Sequence, residues 1–258
     1  DTASSSVPAT PAAVPAPPPG PGPWHLVFSD DFPGTSLNPA KWATCYPWND
    51  GGCTNRGSGE VEWYLPSQVA VAGGTATLSA VRKDTAGTDG KVYPWLSGML
   101  STGAPSTNAD TRFAFTYGYA EALIKMPAQD LLFPAFWLLP ADRPWPPEID
   151  IVEIIGSRTR AWMTLHWKDA AGILQSQHGT YGPVDFSADY HDFAIAWEPS
   201  SLTWYVDGVP RFSITDPSVV PSTPMELLFT LAIGIPRPPP TGVDDGTMSI
   251  RHVRVWQK

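Results

Sequence analysis

Three acids stand inside one apolar run, Glu148-Ile149-Asp150-Ile151-Val152-Glu153, which continues through Ile154 and Ile155. A β-strand turns successive side chains to opposite faces, so Glu148 and Asp150 share a face and Glu153 points away. A β-bulge that absorbs one extra residue near Ile151 or Val152 returns Glu153 to the face of the other two. Glu148 and Glu153 are then about four strand steps apart, roughly 13 Å at about 3.3 Å per step. If the two side chains lean together, their carboxyl groups come to about 5–6 Å, where one can attack carbon while the other delivers a proton. Crowded carboxyl groups cannot all ionise easily, so one is pushed to hold its proton. A solvated strand face is the plainer reading, but Ile149, Ile151, Val152, Ile154 and Ile155 argue for burial. Calcium is a further reading, set back because a strand offers few of the turn carbonyls that calcium recruits.

Such a strand needs a scaffold that buries one face and exposes the other. The rest of the chain reads as short strands separated by turns. Residues 75–81 alternate, as do residues 193–197, and Asp207-Gly208 is a hairpin turn between two β-rich runs. Residues 227–235 and 248–256 read as late strands. No long amphipathic helix and no internal repeat is evident. This pattern predicts an all-β fold, a sandwich or jelly roll of two antiparallel sheets with a concave cleft. Trp197 and Trp204 lie in alternating apolar strands and are assigned to packing. Residues 1–23 are mostly Ala, Pro, Ser, Thr, Val and Gly; they cannot bury a core and are expected to form an extended linker before a folded domain over 24–258.

The 258 residues carry a net charge of −9, with a pI near 4.9. That acidity argues against nucleic acid and anionic membranes, both of which select a basic face. The longest apolar run, 131–139, is broken by Pro134 and too short to span a bilayer, so no membrane insertion is expected. The polar start at Asp1 reads as a chain whose leader has been removed, hence an exported, extracellular protein. The two cysteines, Cys45 and Cys53, flank a turn-rich stretch. In an exported protein they read as a disulfide closing a short loop; two unpaired thiols are the alternative. With no adjacent His pair they make a zinc site improbable. Nothing marks an exposed apolar patch, and a monomer is expected.

Six blocks in order then carry a resemblance. Glu148-Ile149-Asp150-Ile151-Val152-Glu153 resembles the catalytic signature of glycoside hydrolase family sixteen, in its bulged, laminarinase-like form. Phe133-Pro134-Ala135-Phe136-Trp137 resembles the block upstream of it, and Tyr117-Gly118-Tyr119-Ala120-Glu121 with Lys125-Met126-Pro127 the strand before that. Trp204-Tyr205-Val206-Asp207-Gly208 is similar to a later hairpin, and Val253-Arg254-Val255-Trp256 to the last strand. The resemblance covers nearly all of the chain after residue 23. It implies a concanavalin A-like jelly roll and a secreted, retaining endo-β-glycanase. The substrate it implies is β-1,3-glucan (laminarin) or mixed-linkage β-1,3-1,4-glucan.

By the same resemblance Glu148 is the nucleophile, Glu153 the general acid/base, and Asp150 the residue that orients Glu148. Trp137 and Trp145 become sugar platforms, consistent with the flat, half-polar character of Trp in a chain that holds 12 of them. His166 is expected to hydrogen-bond Asp150 or Glu153, with an ordinary half-buried His as the alternative. Trp167, its neighbour, is a further substrate-binding candidate. Glu60 matches a strand that contributes to the cleft, with an exposed or salt-bridged Glu as the alternative. Trp95, in a Pro-flanked segment, is a candidate for the groove rim.

The chain departs from the family pattern at Pro147, at Gly59, in the loop Gly234-Ile235-Pro236-Arg237-Pro238-Pro239-Pro240, and at Arg251 and His252 in the last strand. The last pair stands where the family often carries a calcium-binding Asp, which weakens the case for a structural calcium without closing it; no other cofactor is expected. The other departures, Arg237 above all, leave open a different β-linked polysaccharide, a galactan or an acidic glycan. Transglycosylation and a non-catalytic carbohydrate-binding module are the other readings.

Overall fold

The computed structural model describes residues 18–48, 53–55 and 57–258. Most of the expected linker, residues 1–17, lies outside them. Along the chain run β1 (His25–Asp30), β2 (Glu62–Tyr64), β3 (Val69–Ala72), β4 (Thr75–Ala86), β5 (Val92–Ser97), β6 (Met99–Ser101), β7 (Gly118–Lys125) and β8 (Leu132–Pro140). There follow β9 (Glu148–Ile154), β10 (Ala161–Lys168), β11 (Leu174–Tyr181), β12 (His191–Glu198), β13 (Ser201–Val206), β14 (Val209–Ile214), β15 (Met225–Ile233) and β16 (Asp245–Gln257). Among the described residues the helical content is one 3-10 turn at Pro66–Gln68. No helix there is long and apolar enough to cross a membrane.

The strands form two layers. The larger sheet has ten strands in the order β14-β13-β12-β7-β16-β4-β5-β2, with β1 on β16 and β3 on β4; the smaller has six, β11-β10-β9-β8-β15-β6. The expectation of two antiparallel sheets holds for every strand pair but one, since β2 runs parallel to β5. Period-2 patterning explains the packing: in β4 Ala76, Leu78 and Ala80 face inward, and in β16 Met248, Ile250, Val253 and Val255 do the same. On the core face of the smaller sheet Phe136 of β8 stacks on its cross-strand partner Phe229 of β15, 4.4 Å between centroids and nearly coplanar. Trp197 and Trp204 are fully buried in this core, as assigned.

The outer face of the smaller sheet carries the polar side chains of interest. On β15 the residues Glu226, Leu228 and Thr230 alternate with the core residues Leu227, Phe229 and Leu231. Glu226 is 2% exposed, and its carboxyl packs so closely on Gly103 that a Cβ there would overlap it. Burial raises its pKa from 4.5 to about 7, against a smaller lowering by Arg143. The unfolded chain therefore gives up this proton first, and stability falls as pH rises from about 4.5 to about 7 and is level above. A shift of that size costs on the order of 3 kcal/mol at pH 8. Glu226→Gln keeps the shape without the charge. It is expected to melt higher than the parent at pH 8 and about level with it at pH 4; equal melting differences at both pH values would contradict this.

Candidate active site

The apolar pattern of β9 fixes which way its acids point. Ile149, Ile151, Val152 and Ile154 are each 3% exposed or less and all belong to the core between the sheets. Two consecutive core residues, Ile151 and Val152, break the alternation. Both neighbouring ladders register the break: β8 pairs Phe136 with Val152 and Trp137 with Asp150, while β10 pairs Trp162 with Glu153 and Thr164 with Asp150. One extra residue of β9 is thus absorbed at the position inferred from the sequence, and Glu148, Asp150 and Glu153 all face the cleft. Burying two adjacent β-branched side chains stabilises the bulge by roughly 1.5–3 kcal/mol each. The backbone is also pinned from the far side, where Trp204 donates its Nε1–H to the Asp150 carbonyl at 2.8 Å.

Hydrogen bonding distinguishes the three acids. Glu148 accepts from Trp145 Nε1 at 2.7 Å. His166 Nε2 lies 3.3 Å from Asp150 Oδ2 and 3.8 Å from Glu148 Oε1. Asp150 is 2% exposed, and its Oδ2 receives no protein N–H or O–H donor. It lies within hydrogen-bonding reach of Glu148, an acid–acid contact that is favourable only when one partner holds a proton. Glu153 has one donor, the Thr164 hydroxyl, at a long 3.4 Å.

The electrostatics follow. Burial raises the pKa of all three. For Glu148 the nearby His166 and the bonds from Trp145 and Asp150 oppose the rise. Asp150 is held well above the carboxylate range by burial and then by the Glu148 charge. Glu153 is held well above it by burial, with Asp150 and Glu148 adding. Glu148 is therefore the first of the set to ionise, and Asp150 and Glu153 keep their protons.

The cleft beside Glu148 has a volume of about 510 Å³ and is walled by Trp48, Trp137, Arg143 and Trp145 with Ser58 and Asn55. Trp145 stands half exposed at its mouth. Trp137 forms the floor, its Nε1–H given to Thr230 Oγ1 at 3.1 Å. Glu60 is half-buried, accepts from the Tyr64 hydroxyl at 3.3 Å, and senses the Glu148 charge. Cys45 and Cys53 are joined in a disulfide, next to Tyr46, which stacks on Trp48 with centroids 4.5 Å apart.

Six of the predicted residues thus gather at one cleft: Glu148, Asp150, Glu153, Trp137, Trp145 and His166, with Glu60 at its side. Two do not. Trp167 packs against the core between the sheets, because it follows His166 on a regular strand and so takes the opposite face. Trp95 is fully buried, sits in β5 opposite Glu62 and carries Arg82 stacked at 4.6 Å; it does not reach the rim. Thr164 also faces the cleft; it stands two residues before His166 and so shares its face. Trp48 and Arg143 sit in irregular segments, and no periodicity marks them.

Two groups of described side chains bring one metal-ligating atom each within 4.8 Å of one another: Glu148, Asp150 and His166 in the cleft, and Glu121, Asp192 and His252 on the larger sheet. In the cleft the Glu148 oxygens are engaged by Trp145 and Asp150. In the last strand the Arg251 guanidinium stacks on Tyr190 at 3.9 Å.

Known proteins place the chain. Residues 67–250 match the family described as glycosyl hydrolases family 16. Endo-1,3-1,4-beta-glycanase EglC of Rhizobium meliloti is 32% identical over 88% of this chain and 50% of its own length. The chain spans about half the length of this relative and of a second from the same organism. The crystal structure of LamAcat from Zobellia galactanivorans is 26% identical with a TM-score of 0.78, covering 90% of this chain and 97% of that one. The catalytic domain of an endo-1,3-beta-glucanase (laminarinase) from Thermotoga petrophila is 26% identical with a TM-score of 0.75, covering 92% of this chain and 98% of that one. With most of its folded length matched, and with three acids on one bulged strand of a two-sheet sandwich, the chain belongs to family 16 of the glycosyl hydrolases.

Proposed function

We propose that this chain is an exported endo-β-glycanase that cleaves β-1,3-glucan or mixed-linkage β-1,3-1,4-glucan with retention of configuration. The observation that carries the reading is the unequal hydrogen bonding of two like residues on one bulged strand. Glu148 collects donors and is the anion; Glu153, with one long bond from Thr164, is the acid. In the first step Glu153 gives its proton to the departing glycosidic oxygen while the Glu148 carboxylate attacks the anomeric carbon. A glycosyl–Glu148 ester forms and the leaving chain departs. In the second step Glu153, now ionised, takes a proton from water, and that water displaces Glu148. Asp150 holds its proton toward Glu148 and orients it. Trp145 and Trp137 offer flat faces for the sugar rings. Substrate choice is supported by the relatives named for 1,3- and 1,3-1,4-linked glucans, and export by the disulfide.

The test is a reducing-sugar assay of laminarin, barley β-glucan, lichenan, agarose, carrageenan and xyloglucan, with Glu148→Gln alongside. Activity on laminarin or lichenan that vanishes in the variant supports the reading. Activity confined to the galactose-based polymers would overturn the substrate, and none on any polymer the enzyme reading. A separate expectation concerns Asp150. Asp150→Asn retains a donor to Glu148 and is expected to lose about 10- to 100-fold in kcat, whereas Asp150→Leu, with no donor, loses more. Equal losses in a steady-state comparison would show that the proton on Asp150 plays no part.

A further inference from the structure

Beside the catalytic strand lies a second carboxyl pair that the mechanism above does not use. Glu62 of β2 has no solvent exposure. Its Oε2 accepts the Ile233 N–H at 2.8 Å, tying β2 to β15 of the opposite sheet. Its Oε1 is buried and has no donor of its own. The Glu62 carboxyl lies within hydrogen-bonding reach of the Glu60 carboxyl and of the Tyr64 hydroxyl, which is given to Glu60 at 3.3 Å. Glu60 is the better-solvated partner: it is half-buried, and its donors are the Tyr64 hydroxyl at 3.3 Å and Ser58. The titratable described groups around the pair are Tyr64, Tyr46 and Glu148, none of them a cation.

Two carboxylates in contact, with no cation between them, cannot both be ionised in a buried site. One proton therefore sits on the pair. Glu62 Oε1, fully buried and without a donor of its own, is where it is most strongly held. Glu60 then keeps the acceptor oxygens, and Glu60 is bonded to Ser58, which lines the cleft beside Glu148.

We propose that Glu62 is a positioning residue: its carboxyl group gives its proton in a hydrogen bond to Glu60 and so holds Glu60 as a fixed acceptor for a sugar hydroxyl in the cleft. Glu62 touches no substrate itself. Its second contact, to the Ile233 amide, fixes the acid from behind.

Two measurements test this. The first needs no ligand. Infrared difference spectra of the parent and Glu62→Gln at pH 7 are expected to show loss of protonated-carboxyl intensity with the carboxylate band unchanged. Loss of a carboxylate band instead would overturn the proposal. The second rests on the glycanase reading and uses the polymer cleaved in the panel above. Glu62→Leu is expected to raise KM about tenfold with kcat within about threefold, the effect of one misaimed hydrogen bond. Glu62→Gln, which can donate to Glu60 and accept from Ile233, is expected to recover the parent KM. A Gln variant as impaired in KM as the Leu variant would overturn the proposal even where both fold. Failure of the substrate reading leaves the infrared result intact, so the two failures are separable.

Discussion

Glu148→Gln is expected to lower kcat on the cleaved glucan by about 10⁴-fold or more, with the melting temperature near that of the parent. The amide is close in shape to the carboxylate and can still meet Trp145 and Asp150, so the cleft should keep its form. What is lost is the attacking anion. The donors around Glu148 make this loss specific, because Trp145 Nε1 at 2.7 Å and the Asp150 proton hold one defined rotamer for attack. Steady-state turnover with a parallel thermal melt checks the expectation. A variant that unfolds would point to a stabilising role only, and one within tenfold of the parent would remove Glu148 from the chemistry.

Glu153→Gln is expected to lose about 10²–10⁴-fold on a polysaccharide, the usual worth of a positioned general acid. On an aryl β-glucoside with a good leaving group the first step no longer needs that acid, so the burst of released phenol should survive while turnover stalls. The two variants therefore separate: Glu148→Gln shows no burst and Glu153→Gln does. Their roles also set the pH profile. Glu153 must be protonated, and burial holds its proton well above the usual carboxylate range, so the alkaline limb of kcat/KM should lie above that range. Glu148 must be ionised, and its loss gives the acid limb; both limbs report the coupled set and not single groups. Identical behaviour of the two variants on the aryl substrate would contradict the division of labour.

Much of this site was legible in the chain because two periodicities conflict there. Acids at 148, 150 and 153 share one face only if a residue is absorbed between them, and the apolar pair Ile151 and Val152 marks where. The strands that flank β9 were legible from alternation, as were the buried Trp197 and Trp204. The errors have equally physical origins. Trp167 was grouped with His166 by proximity in sequence, although a regular strand sends neighbours to opposite faces. Pro94 masks β5 in the sequence pattern around Trp95. In the fold β5 runs through that proline at an irregularity in the β4 ladder, between the pairs Arg82–Trp95 and Thr85–Tyr93, where the missing amide donor is tolerated. Glu62 was not singled out, because its meaning comes from Ile233, 171 residues away. Arg143 and Trp48 reach the cleft from irregular segments whose path is set by tertiary contacts, such as the bond from Arg143 to the Thr107 carbonyl at 3.0 Å.

The central claim is that Glu148 and Glu153, on one face of a bulged strand, act as nucleophile and acid/base in a double displacement. Proton NMR of the first-formed reducing end, recorded before mutarotation, tests it most directly. The account predicts that the β-anomer appears first and the α-anomer grows in later. An initial α-anomer would mean single displacement by water, and would contradict a covalent role for Glu148.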